Sequence, residues 1–433
     1  MGGLAFIVML LCLILGIPLL VSLGLATMLP GLLNPRFVAG NINFVIRNMV
    51  NALDNTPILA IPLFILAGDI MTRGKISERL FDFFVYFLGK VRAGMLMATI
   101  ATAMFYGAIS GSGVATTAAV GSMAIPFLSS LGYDKTFVAG MIVTAGGLGV
   151  IIPPSIPFVT YGVVTGTSIG DLFIGGILPG IVIGLSLMAY AYIHARVKGE
   201  DRGRILSKYN ELRARGFFKV LKDSFWALLS PIIVLGGIYT GVVTPTEAAV
   251  VSVFYSFLAC LVVYRTLKLS DVPKVLVNSV RAYTPIVMLL SLAIVFGRVL
   301  ALLQVPQDVR DFIVNNFGGS PALFLFGLNV LFLIIGMFMD IGPVIAILAP
   351  MLLPAAVALG IDPVHLGIIM SVNLAVGMAT PPFGVNLFVA SPLIEKPVMD
   401  VGKRAIPFIV AFIVALFLIT YVPELSLYLV RRG

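Results

Sequence analysis

The chain has 433 residues, 60% of them hydrophobic and only 11% charged, with a mean hydropathy of +1.10. One water-soluble core cannot bury so much apolar side chain, so lipid is the solvent and the fold class is an all-α polytopic membrane protein. The net charge of +9 does not point to nucleic acid, because the basic residues gather in loops between apolar segments.

In chain order, apolar segments able to form a spanning helix or most of one run from Leu4 to Leu20, Thr56 to Gly68, Phe173 to Ile193 and Trp226 to Tyr239. Three more follow, from Ala248 to Tyr264, Pro285 to Leu303 and Ala405 to Tyr421. The opening Met-Gly-Gly-Leu lacks a basic n-region, so the first segment reads as a retained membrane helix. Cys12 and Cys260 stand alone in apolar segments and read as buried packing. The stretch from Arg196 to Asp223 holds nine Lys/Arg, which places it in the cytoplasm and divides the chain in two.

The two parts repeat. Shifted by 228 residues, Pro126 meets Pro354, Asp134 meets Asp362, Gly149 meets Gly377, Pro153-Pro154 meets Pro381-Pro382, and Thr56-Pro57 meets Thr284-Pro285. Shifted by 229, Gly89 meets Gly318 and Gly107 meets Gly336.

The segments Met95 to Ser130 and Pro321 to Leu359 read as re-entrant hairpins, and Thr136 to Ser168 and Val364 to Ser391 as discontinuous helices broken at Pro-Pro. Five crossings then separate Thr56 from Thr284, so the repeats have inverted topology. The charges agree with that count. Of 28 Lys/Arg, 22 fall at expected cytoplasmic ends, and only Arg36, Arg47, Arg298, Arg310, Arg431 and Arg432 stay periplasmic. Inverted repeats with broken helices are the usual build of a secondary transporter, with its site near the midplane. Residues 3–33 could form one long helix or two short spans, and the repeat predicts two, with a periplasmic amino terminus.

The chemistry-bearing residues cluster at the hairpin tips and the breaks. The first tip is Gly107-Ala-Ile-Ser110-Gly-Ser-Gly113, and the second is Gly336-Met-Phe-Met-Asp340-Ile-Gly342-Pro343, with Pro343 suited to open a helix. At the breaks, Pro153-Pro154 would orphan the carbonyls of Gly149 and Val150 in a continuous helix. Pro381-Pro382 would orphan those of Gly377 and Met378. Neutral oxygens suit a hard cation such as Na+. One cation site is expected at Ser110, Gly111, Ser112, Gly149, Ile152 and Pro153, and a second at Met339, Asp340, Gly377, Thr380 and Pro381. Half-helices starting near Ser155 and Phe383 would aim positive dipole ends at an anion held by Ser112, Gly113, Ser155, Pro382, Phe383 and Asn386.

Asp340 reads as a cation ligand, a protonatable switch or a helix cap. Thr244-Pro245-Thr246-Glu247 reads as a capping box. Arg298 reads as a periplasmic interface residue or as a carboxylate contact, and neither His194 nor His365 draws a role.

The sequence resembles the large membrane subunit of tripartite ATP-independent periplasmic (TRAP) transporters over essentially its whole length. The resemblance is carried by Leu59-Ala-Ile-Pro-Leu-Phe-Ile-Leu-Ala-Gly68, Gly107-Ala-Ile-Ser-Gly-Ser-Gly113, Ile152-Pro-Pro-Ser155, Gly241-Val-Val-Thr-Pro-Thr-Glu247 and Ala379-Thr-Pro-Pro-Phe383. It implies an elevator-type transporter with scaffold and transport domains. It also implies sodium coupling, a small four-helix membrane (Q) subunit, a soluble periplasmic substrate-binding (P) protein, and a carboxylate such as a C4-dicarboxylate, keto acid or sialic acid.

The expected organisation is 1–92 scaffold and arm, 93–171 first transport half, 172–195 closing helix and 196–224 basic cytoplasmic loop. Then come 225–319 scaffold and arm, 320–400 second transport half and 401–433 carboxyl-terminal helix.

Two other readings share some of these features. A self-sufficient anion symporter would show the same repeats. An intramembrane hydrolase would use Tyr133-Asp134, but Leu66-Ala67-Gly68-Asp69 is not Gly-x-Gly-Asp, and no His-Glu-x-x-His or phosphate loop occurs.

Overall fold

Gly16, with φ +78°, and Pro18 interrupt the first apolar stretch, because glycine permits the left-handed turn and proline cannot continue the helix ahead of it. The computed structural model describes residues 2–34, 37–316 and 320–432. Arg36 and Gly318, used in the charge count and the repeat, lie outside the described residues. The stretch from Leu4 to Leu20 is therefore not one helix. It divides into α1 (Gly2–Ile14) and α2 (Leu19–Leu33), which pack on each other, as the repeat predicted.

Next come α3 (Ile42–Leu53), α4 (Ala60–Arg73) and α5 (Ile76–Leu88), and then a hairpin of α6 (Gly94–Ser110) and α7 (Gly113–Ser130). The first broken helix is α8 (Lys135–Gly146), a 3-10 turn at Gly147–Val150, and α9 (Ile156–Thr165), after which α10 (Ile169–Lys198) closes the half. The expected boundary between residues 171 and 172 thus falls inside the first turn of α10.

The basic stretch is not a plain loop. It holds α11 (Arg202–Arg213), capped by Asp201, whose Ile205 and Tyr209 are buried four residues apart on one face. On its exposed face a hydrogen bond from Lys208 at 2.7 Å holds the Glu211 carboxyl below its ordinary range.

The second half begins with α12 (Phe217–Tyr239), which starts well before Trp226, and α13 (Pro245–Phe257). The capping box is present: the Thr244 backbone N–H donates to Glu247 at 2.8 Å, and the Glu247 N–H donates to Thr244 Oγ1 at 3.3 Å. A π-turn (Leu258–Val263) then holds Cys260, which is buried, whereas Cys12 is only half-buried. The long α14 (Val272–Leu302) carries Pro285 in its interior, so Thr284-Pro285 sits in continuous helix where its counterpart Thr56-Pro57 opens a 3-10 turn ahead of α4.

After α15 (Val305–Asn316) comes a second hairpin, α16 (Pro321–Gly336) and α17 (Ile341–Ala358), then a second broken helix, α18 (Pro363–Gly377) and α19 (Val385–Ile394). The chain ends in α20 (Val398–Tyr421) and α21 (Glu424–Leu427). Hairpin, broken helix and long closing helix therefore occur twice in the same order.

Among the described residues, eight helical segments are long and apolar enough to cross a membrane. The centre of the molecule is made by the first halves of the broken helices. Every residue from Phe137 to Gly146 and from Val364 to Gly377 is buried, as expected of helices that are apolar all round. Each is covered by a neighbour, α8 by α20 and α18 by α16.

Candidate functional site

Both hairpin tips and both breaks contribute to one cavity of about 250 Å³. Its lining includes Gly111, Ser112 and Gly113 of the first tip and Asp340, Ile341, Gly342 and Pro343 of the second. Val150 and Met378, which coincide under the 228-residue shift, come from the two breaks.

Each tip is seated on its own break by backbone contact. A Cβ on Gly107 would stand 2.6 Å from the Cα of Gly149, and one on Gly377 would stand 2.4 Å from the carbonyl carbon of Gly336. Gly111 turns the first tip with φ +62° and lies against the Pro154 carbonyl, and its own oxygen accepts the Ile156 N–H at 3.4 Å.

Around this tip Ser110, Gly111, Ser112 and Gly149 come together. The Ser110 hydroxyl lies 3.0 Å from Thr116 Oγ1, and Thr116 donates to the Ser112 carbonyl at 2.8 Å. The peptide bonds Pro153–Pro154 and Pro381–Pro382 are both cis.

Three helices start at the cavity wall: α7 behind its cap Ser112, α9 behind Ser155 and α17 behind Asp340. The Ile156 and Phe158 N–H groups of α9 are taken up by Gly111 and Ser155 and that of Ile341 by Asp340, but the dipoles of the three helix starts still make the wall attractive to negative charge. Among the described residues Asp340 is the only charged one in the lining, and one of its oxygens accepts the Ile341 N–H at 2.9 Å, so it caps α17 and also faces the cavity. Pro343 is therefore third in its helix rather than first. It is tolerated there because the first four helical N–H groups have no intrahelical partner.

Several expected site residues fall elsewhere. Ser155 is fully buried, and its hydroxyl is committed to the Val150 carbonyl at 2.5 Å and the Phe158 N–H at 3.4 Å, so it does not line the cavity. Asn386 is also fully buried and donates to the Val143 carbonyl at 3.0 Å. Ile152 packs its side chain into the notch at Gly180 and is absent from the cavity lining. The Thr380 hydroxyl bonds back to Val376 at 2.8 Å, and Pro381 packs on Gly402. Pro153, Met339 and Pro382 are absent from the cavity lining, as is Phe383, whose ring lies tilted against that of Phe338 with centroids 5.6 Å apart.

The breaks also leave fewer bare carbonyls than the prolines alone suggest. Val150 accepts from Ser155, Gly377 from the Thr380 N–H at 3.0 Å and Met378 from the Asn386 N–H at 3.0 Å. The loop after each break folds back and supplies donors that a straight helix would lack. A second lone pair on each oxygen still permits a further ligand.

Sequence reasoning missed one wall entirely. Pro285, Ile286, Leu289 and Leu290 of α14 also line the cavity, and Thr160 adds a hydroxyl. The matching Thr-Pro pair was the only signal for this stretch, since ordinary apolar residues on a helix carry no mark of the cavity they face. Asp134, half of the hydrolase signature, is the cap of α8 and accepts the Phe137 N–H at 2.7 Å.

The family description for the tripartite ATP-independent periplasmic transporter, DctM component, matches residues 6–425. The chain is 41% identical over 406 residues to the C4-dicarboxylate TRAP transporter large permease protein DctM of Pseudomonas aeruginosa, covering 94% of this chain and 93% of that protein. It is 35% identical over 417 residues to the ectoine TRAP transporter large permease protein TeaC of Halomonas elongata, covering 96% of each. It is also 42% identical over 421 residues to the isethionate TRAP transporter permease protein DctMQ of Oleidesulfovibrio alaskensis. There it covers 96% of its own length but only 64% of that longer relative.

Two solved transporters share the fold. Neisseria gonorrhoeae MtrF, described within a class of antimetabolite efflux pumps, superposes with a TM-score of 0.61 at 12% identity, covering 87% of this chain and 83% of that one. The Alcanivorax borkumensis YdaH transporter gives 0.54 at 14%, covering 88% of each. The sequence relatives are named as transporter permeases and not as enzymes, which removes the hydrolase reading. This chain is a multi-pass inner-membrane protein and belongs to the DctM-component family, the large permease subunits of TRAP transporters.

Proposed function

We propose that the chain is the permease subunit of a sodium-coupled importer of a small organic anion, working with a small membrane subunit and a periplasmic binding protein that delivers the substrate. The observation that carries this reading is the cavity where three helix starts meet around one carboxylate, Asp340, with no basic side chain among the described residues of the lining. Dipole ends can hold an anion there. The Asp340 carboxylate would repel it. Sodium at the second tip neutralises that charge, so anion binding waits for the cation.

In this reading one sodium lies among the oxygens of Ser110, Gly111, Ser112 and Gly149, and another between Asp340 and the second break near Gly377. The substrate sits between them against Ser112 and Gly113. The two halves are inverted repeats whose hairpins and broken helices move together as a transport domain past a scaffold that includes α14. The apolar α14 wall suits such sliding, since it makes no directional bond that motion must break.

Uptake into proteoliposomes tests the proposal. Transport of a carboxylate should require an inward sodium gradient, the small subunit and the cognate binding protein. Uptake without sodium would overturn the coupling. Sodium-driven uptake without any binding protein would favour a self-sufficient symporter.

A further inference from the structure

Thr117 of α7 and Asn386 of α19 are fully buried, and Thr117 Oγ1 and Asn386 Oδ1 have no hydrogen-bond partner. Both side chains reach Gly146 of α8. A Cβ on that glycine would stand 1.9 Å from Thr117 Oγ1, 3.1 Å from the Gly113 carbonyl and 3.2 Å from Asn386 Nδ2. Burying such oxygens in a membrane protein without partners is unfavourable, so each orphan calls for a bound species.

The orphans are not errors of orientation. Asn386 Nδ2 donates to the Val143 carbonyl, and turning the amide over would set oxygen against oxygen. The buried threonines Thr99, Thr102, Thr116, Thr144 and Thr160 each return their hydroxyl to the carbonyl four residues earlier. Thr117 does not.

The repeat supplies a control. Under the 228-residue shift Thr117 falls on Ile345 and Asn386 on Phe158, both fully buried and apolar. The fold can therefore fill these two positions with hydrocarbon, and here it is the seam between hairpin 1 and α19 that carries oxygens at them. That seam adjoins the cavity, because Gly113 and Met378 line it and the Met378 carbonyl holds the Asn386 backbone N–H.

We propose that Thr117 Oγ1 and Asn386 Oδ1 hold a further sodium ion, separate from the two at the hairpin tips, with the Gly113 carbonyl, which also faces Gly146, as an additional oxygen. Neutral oxygens of this kind suit a hard monovalent cation, and the Asp340 carboxylate in the adjoining cavity adds long-range attraction. Because Thr117 belongs to the first half and Asn386 to the second, the ion joins the two halves of the substrate cavity. The inference rests on the sodium-coupled reading above.

Radioactive-sodium binding and melting temperatures in sodium chloride and in choline chloride test it on the purified chain. Thr117→Val keeps the side-chain shape and removes the hydroxyl, and Thr117→Ser restores it. The valine variant should bind one fewer sodium per chain and show a smaller sodium-dependent rise in melting temperature, and the serine variant should recover both. Equal sodium binding by wild type and the valine variant would mean that the gap holds only water, and would overturn this inference while leaving the coupling reading intact. Wild type that binds no sodium would overturn both. If the valine variant does not fold, density maps of the wild type decide: a peak in the gap that vanishes in choline supports the ion, and one that persists refutes it.

Discussion

Gly107 and Gly149 meet backbone to backbone, so closely that a Cβ on the first would stand 2.6 Å from the Cα of the second. The same closeness recurs between Gly336 and Gly377, and together the two contacts seat both hairpins on their broken helices. Either glycine replaced by alanine forces backbone apart. Gly107→Ala and Gly377→Ala should each lose about 1–3 kcal/mol of stability, the usual cost of overpacking, and most of their uptake. Gly236→Ala in α12 meets nothing within 4 Å and should change stability by no more than about 1 kcal/mol, in the stabilising direction. Thermal melts of the three variants check this, and equal melting temperatures would refute it.

Asp340→Asn separates the two roles of that side chain. Asparagine caps a helix as well as aspartate, so the melting temperature in choline chloride should hold. Loss of the charge should raise the sodium concentration for half-maximal uptake about tenfold, the scale of one charge-assisted contact. Sodium titration of uptake measures the shift, and an unchanged curve would remove Asp340 from the cation site.

Replacing Pro153-Pro154 or Pro381-Pro382 by Ala-Ala adds backbone N–H donors where the chain has none. The new donors compete for carbonyls that a cation would otherwise share, so sodium activation should weaken in both variants. Uptake with wild-type sodium dependence in both would exclude the breaks from ion binding.

Lys208 lies on α11, between α10 and α12. A cysteine placed there, in a chain whose Cys12 and Cys260 are replaced, should resist an impermeant thiol reagent added to intact spheroplasts and react after lysis. Labelling of intact spheroplasts would reverse the orientation derived from the basic residues.

The sequence alone determined which segments are apolar enough to leave water and where the two broken helices are interrupted. Apolar composition selects lipid, and Gly16, Pro18 and the two Pro-Pro pairs carry their conformational limits locally, wherever the chain later lies. The 228-residue repeat was legible for the same reason, since glycines and prolines keep their spacing when packing residues drift. Only the tertiary structure decided which of these residues share a cavity. Ser112 and Asp340 line it, while Ser155 spends its hydroxyl on Val150 and Asn386 lies behind Met378. Leu289 and Leu290, apolar residues that read as ordinary membrane helix, also line it. Local spacing encodes the helix face on which a side chain lies, but not what packs against that face.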